Sequence, residues 1–189
     1  MKLERGLVQV YTGDGKGKTT AAFGQALRAL GHGLRVFVVQ YLKGEWDIGE
    51  RTALKCFGDS AGLRYFGSEY RTPKGGGPEL KDVPWWLRPV SEEDTQVGQA
   101  AFACSREVVM SGEWDVVVLD EVHSAVAMGL VPVEDLLALM RDKPEHVELV
   151  TTGQRAHEKV IEAADLVTEM RLVKHPFQQN IMAREGIEY

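Results

Sequence analysis

Thr12-Gly13-Asp14-Gly15-Lys16-Gly17-Lys18-Thr19-Thr20 is the stretch that decides how this chain folds. It follows an apolar run, Leu7-Val8-Gln9-Val10-Tyr11, that reads as a buried strand. It opens into Ala21-Ala22-Phe23-Gly24-Gln25-Ala26-Leu27, which reads as a helix. Strand, glycine-rich loop, Gly-Lys-Thr and helix is the layout of a triphosphate-binding loop. Glycines let the backbone curl until several N–H groups aim at phosphate oxygens, and the helix N-terminus adds the positive end of its dipole. Lys18 supplies a mobile charge for the outer phosphates, and the Thr19 hydroxyl is suited to ligate Mg²⁺. Gly13, Asp14, Gly15, Lys16, Gly17, Lys18, Thr19 and Thr20 are therefore the candidate nucleotide contacts. The common spacing would place a glycine at position 12. Thr12 stands there, the first glycine is Gly13, and the loop is one residue tighter.

A second motif lies downstream. Trp114 to Leu119 reads as a strongly apolar strand, and it ends in Asp120-Glu121. An acidic strand end facing a phosphate loop can hold Mg²⁺ through water, opposite the loop hydroxyl. Thr19, Asp120 and Glu121 form the candidate metal set, and Lys18, Thr19 and Glu121 the candidate catalytic set. Asp120-Glu121-Val122-His123 also spells a helicase box. Helicases couple two such domains, and this chain of 189 residues supplies one. Its net charge of −6 also argues against a nucleic-acid track. His123 is read instead as a helix-start or core-edge histidine.

Strand and helix patterns alternate along the rest. Arg35–Gln40 and Leu63–Phe66 read as strands, as do His146–Gly153 and Leu166–Met170. Glu92–Ser111, Val133–Arg141 and Arg155–Ala164 read as helices, the first with Ser91 as N-cap and Asp94 at the third helical position. Near-continuous apolar strands separated by helices imply a mostly parallel sheet covered on both faces. The expected class is α/β: a P-loop NTPase-like (RecA-like) three-layer fold, residues 1–189 forming one domain. A Gly-, Pro- and Trp-rich loop is inserted at about 67–90. In such sheets ligands sit at the carboxyl ends of the strands, where all these motifs fall. Cys56 and Cys104 are far apart, which suits no disulfide framework or zinc ribbon. No apolar run approaches a membrane span, so a cytoplasmic protein with no membrane or nucleic-acid partner is expected.

Tyr11–Gly24, with its shortened glycine spacing, resembles the signature of the ATP:corrinoid adenosyltransferases. Further matches follow in order: Gly31-His32-Gly33, Val39–Gly44, Gly49-Glu50-Arg51, Leu119-Asp120-Glu121, Thr152-Gly153, Ala164–Arg171, Val173-Lys174-His175 and Gly186–Tyr189. The resemblance implies a transfer in which Co(I) of a reduced corrinoid (cobalamin or a precursor) attacks the 5′-carbon of ATP and triphosphate leaves. It implies ATP and Mg²⁺ (or Mn²⁺) in the site, a reductase that supplies Co(I), and a homodimer. Gln40, Lys43 and Arg51, after the second strand, are placed by it to meet ribose or corrin side chains. Pro84-Trp85-Trp86 stands roughly where the family has Phe-Thr-Trp, so Trp86 is expected to displace the lower ligand of cobalt.

Two other classes remain open on the residues alone. A small-molecule kinase or ATPase would yield ADP, and a nucleotide-sensing module would bind ATP without turnover.

Overall fold

The computed structural model describes residues 3–45, 48–68, 87–181 and 183–188, with the backbone alone at residue 177. Its centre is a six-stranded sheet in the order β3-β2-β4-β5-β1-β6. The strands are β1 (Val8–Thr12), β2 (Val36–Gln40), β3 (Ala61–Tyr65), β4 (Val116–Asp120), β5 (Glu148–Thr152) and β6 (Leu166–Glu169). Every neighbouring pair is parallel. The helices are α1 (Lys18–Gly31), α2 (Gly49–Lys55), α3 (Glu92–Ser111), α4 (Val122–Ala127), α5 (Val133–Asp142) and α6 (Glu158–Ala163).

Side-chain alternation along each strand divides the core into two sheets of contact. Val36 and Val38 of β2, Val116 and Val118 of β4, and Val150 of β5 pack with Ala22, Ala26 and Ala29 of α1 and Leu54 of α2. Val39, Val117, Leu119 and Leu149 face the other way, toward Ala101 and Val109 of α3, Val122 and Ala125 of α4, Leu136 of α5 and Val160 of α6. All five residues of β4 and of β5 are buried, as a parallel sheet covered on both faces requires. This is the three-layer P-loop NTPase-like architecture expected from the alternating pattern. No described helix is long and apolar enough to cross a membrane.

The order of the sheet positions the site. β5 lies between the loop-bearing β1 and the acidic β4, so the phosphate loop and Asp120 face each other across one intervening strand. The edge strand β6 extends its ladder into the loop. Met170 N–H donates to the Thr12 carbonyl (2.8 Å), and Gly15 N–H donates to the Met170 carbonyl (2.7 Å). A side chain at Gly15 would bring its Cβ within 2.7 Å of that carbonyl, so this close approach needs glycine.

Expected and observed elements differ in three places. The helix expected over 155–164 is confined to Glu158–Ala163, because Arg155 takes a left-handed backbone (φ 56°) that no helix accommodates. The short helices α2 and α4 did not show in the sequence. Most of the inserted loop, with Trp85 and Trp86, lies outside the described residues.

Candidate active site

Gly17 enters α1 with φ 119°, a conformation open to glycine, and turns the chain so that Lys18 and Thr19 head the helix. Lys18 is buried, and its ammonium folds back onto the Gly15 carbonyl (2.7 Å). Burial pushes the Lys18 ammonium below its ordinary value, against the attraction of Glu121, Asp14 and Asp120. Among the described residues that carbonyl is its one hydrogen-bond partner, so the desolvated cation is only partly compensated. Asp14 is exposed and accepts the Leu172 N–H (3.0 Å), which fastens the loop to the segment after β6. Lys16 is exposed on the loop and Thr20 on the first turn of α1. Thr12, at the position where a glycine is usual, accepts the Ala156 N–H through its hydroxyl (3.1 Å). The tighter loop is thereby tied to the chain leaving β5.

Opposite the loop, Asp120 ends β4 fully buried. Its Oδ1 accepts from the Thr19 hydroxyl and the Thr152 hydroxyl, each at 2.8 Å. Its Oδ2 accepts from the Lys43 ammonium (2.7 Å) and the Gln40 amide (3.2 Å). Burial alone would raise this carboxyl. The Lys43 charge and the hydrogen bonds from Lys43, Thr152 and Thr19 outweigh it and hold Asp120 below the usual carboxylate range.

Glu121 moves the opposite way. Burial, with the Asp120 charge beside it, raises its carboxyl above the ordinary value. Its backbone is left-handed (φ 67°), held by the Thr152 hydroxyl, which accepts the Glu121 N–H (2.9 Å). Ser124 donates to Glu121 Oε2 (2.5 Å) and accepts the Gln154 N–H (3.0 Å). A strained residue held by several partners at a strand end is a usual mark of a working site.

The residues after β2 form a second layer behind Asp120. Gln40 is fully buried, and Arg51 Nε donates to its Oε1 (2.8 Å). Arg51 also donates to the Gly44 carbonyl (2.9 Å) and the Lys43 carbonyl (3.3 Å), and its guanidinium lies 3.8 Å from the centre of the Tyr65 ring. Gln40 and Lys43 thus bond Asp120 directly and Arg51 braces Gln40, contacts besides the ribose or corrin contact expected of the three. Beyond Arg51, a cleft of about 610 Å³ opens between α2 and β3, lined by Ile48, Thr52, Leu63 and Tyr65. Trp86 lies outside the described residues.

His123 sits in α4 with its ring buried, as its place beside the core suggested. Neither ring nitrogen has a hydrogen-bond partner among the described residues. Burial, only partly offset by the Thr151 backbone, pushes the imidazole down to about 4. A neutral ring turned into the core is no coupling residue of a helicase.

The sequence reading gave no site role to Thr152, Ser124 or the Met170–Leu172 backbone, although Thr152-Gly153 and Ala164–Arg171 stand among the family matches. Thr152 belongs to the site because β5 lies beside β4, an adjacency that no local spacing reveals.

Residues 4–189 match the model of the family described as ATP:corrinoid adenosyltransferase BtuR/CobO/CobP. Corrinoid adenosyltransferase CobA of Salmonella typhimurium is 37% identical over 186 residues, covering 98% of this chain and 87% of the relative. The corrinoid adenosyltransferase of Escherichia coli K12 is 36% identical with the same coverage. That of Pseudomonas aeruginosa is 34% identical, covering 98% of this chain and 85% of its own. By this match over residues 4–189 and these relatives at 34–37% identity, the chain belongs to the ATP:corrinoid adenosyltransferase family.

Proposed function

We propose that this protein transfers the 5′-deoxyadenosyl group of ATP to the Co(I) centre of a reduced corrinoid and releases triphosphate, in the synthesis or salvage of adenosylated corrinoids. The observation that carries the reading is the Thr19–Asp120 hydrogen bond across the sheet edge, in a chain whose family match spans residues 4–189. It joins a phosphate loop to a buried carboxylate, the pairing that binding of a polyphosphate with its cation calls for.

The reaction makes a cobalt–carbon bond at the 5′-carbon and breaks the bond from that carbon to the triphosphate oxygen. Cobalt supplies the electron pair, and the triphosphate leaves with the pair of the broken bond. No proton is removed, so no general base is needed. What the protein must do is stabilise charge as it gathers on the leaving group. Lys18 is placed to release the Gly15 carbonyl and meet a phosphate oxygen. The Gly17 turn and the start of α1 offer backbone N–H groups and the helix dipole.

Mg²⁺ (or Mn²⁺) fits the donors present. They are a hydroxyl at Thr19 and the carboxylates Asp120 and Glu121, without a cluster of three acidic, His or Cys side chains among the described residues. Few protein ligands supplemented by water and phosphate oxygens is the habit of this cation. When bound, it neutralises part of the triphosphate charge. Asp120, kept ionised, and the Thr19 hydroxyl would hold it, with Glu121 beside them.

Lys16, Asp14 and Thr20 line the loop exterior and complete the proposed nucleotide contacts. Trp86 keeps the lower-ligand role that the resemblance gives it. The reading also includes a reductase that delivers Co(I), a cytoplasmic setting, and pairing of two copies. Exposed apolar residues on and after the edge strand β6, namely Leu166, Val167 and Val173, support such pairing.

Incubation with ATP, Mg²⁺ and chemically reduced cobalamin tests the reaction. Triphosphate release in step with the change in the corrin spectrum is expected. ADP as product would move the assignment to a kinase or ATPase.

A further inference from the structure

Asp120 has no acceptor position to spare. A carboxylate offers roughly four lone-pair sites. Here Thr19 and Thr152 occupy Oδ1, and Lys43 and Gln40 occupy Oδ2. A hydrated cation that leans on Asp120 through one of its waters needs one of these places. One of the four donors has to yield.

Three of them are poorly placed to do so. Thr152 is buried, and its hydroxyl also accepts the Glu121 N–H, so moving it would unseat Glu121. Gln40 is buried and its other amide atom is held by Arg51 at 2.8 Å. Thr19 can keep donating its single proton to Asp120 while its oxygen lone pairs turn to the cation. Lys43 differs from them. It stands on the loop after β2, 18% of its side chain is exposed, and it carries a full positive charge on a flexible stem.

We propose that Lys43 is an exchangeable counter-cation: it occupies Asp120 Oδ2 in the metal-free protein and yields that oxygen to the hydrated divalent cation. This rests on the reading above that Thr19 and Asp120 hold such a cation. The charge logic favours exchange over coexistence. A divalent cation balances Asp120 and Glu121 together, and keeping the Lys43 ammonium as well, with Lys18 already nearby, would leave excess positive charge in a buried site. Once the polyphosphate tail is present, the freed ammonium gains an anionic partner at the mouth of the site. Metal and nucleotide should then strengthen each other's binding, and to the same degree in either order.

Mn²⁺ binding, read from the loss of the free-ion paramagnetic resonance signal, tests this on the full chain without nucleotide. Lys43→Met should bind Mn²⁺ on the order of tenfold more tightly than the parent, because the cation competing for Asp120 is gone and a close charge pair contributes at least about that much. Lys43→Arg should bind no more tightly than the parent, and Asp120→Asn should lose the site. An Asp120-dependent site that Lys43→Met leaves unchanged or weaker overturns the exchange but not the metal reading. No Asp120-dependent site in any variant overturns both. Acetic anhydride labelling of the parent, followed by mass spectrometry, gives a readout independent of the variant's folding. Labelling of Lys43 should rise several-fold with saturating Mn²⁺, and unchanged labelling overturns the proposal.

Discussion

Among the described residues, the Lys18 ammonium donates to the Gly15 carbonyl alone, within its own loop. Removing the side chain therefore costs the fold little and the reaction much. Lys18→Ala should lower the rate of adenosyl transfer on the order of 10²–10³-fold, the usual loss for one preorganised donor to a developing charge. Single-turnover corrin spectra measure it, and near-parental transfer would show that another group carries the triphosphate. His123 makes a prediction of a different kind. Its folded value of about 4 lies below the ordinary 6.5, so the unfolded chain takes up the proton first. Stability is then fully present above about pH 6.5 and is lost as pH falls toward 4. By pH 5 the loss from this one ring is about 2 kcal/mol. His123→Leu, which also removes two unpartnered polar atoms from the core, should abolish that part of the pH dependence. Urea denaturation of both proteins at pH 7 and pH 5 gives the comparison, and identical pH slopes would mean that the ring is not buried neutral.

Among the elements, α3 shows how far local signals reach. Ser91 accepts the Asp94 N–H (3.0 Å) and Asp94 returns the bond to the Ser91 N–H (2.9 Å), the reciprocal cap that the Ser-Glu-Glu-Asp spacing implied. Ser91→Ala should cost about 1 kcal/mol of stability by denaturant midpoint and leave catalysis intact. A loss of activity without a loss of stability would contradict a purely structural cap. Elements with such local signatures were legible in the chain: the phosphate loop, the apolar β4 with its acidic end, the capped α3. Those without them were not. α2 and α4 are too short to show a helical period, and α6 was read too long because nothing in Arg155 announces its left-handed backbone. The site divides the same way. Lys18, Thr19, Asp120 and Glu121 stand in motifs that can be read in order. Thr152 and Ser124 join them through sheet order and the strained turn at Glu121. The inward aim of Gln40 and Arg51 was hidden too, since a polar residue at a strand end or on a short helix looks the same whether it faces water or a buried partner.

Across the whole molecule, the phosphate loop is walled by the end of β6. Gly15 touches the Met170 backbone and Asp14 holds Leu172. Gly15→Ala would drive a methyl into the Met170 carbonyl, so the loop and the segment after β6 must part. That change should cost about 1–3 kcal/mol of stability and weaken ATP binding together, seen as a lower melting temperature and a weaker calorimetric signal. ATP affinity at the parental level in a destabilised Gly15→Ala would separate the seam from the site. The same seam bears on how the chain is made. β1 pairs only with β5 and β6, so Val8 waits for Leu149 and Gln9 for Leu166. During synthesis the first strand leaves the ribosome apolar and without neighbours, and it gains them only after most of the polypeptide has followed. The site should consequently take shape only once β6 has been made, and β1, unpaired until then, is a strand that a chaperone would shelter.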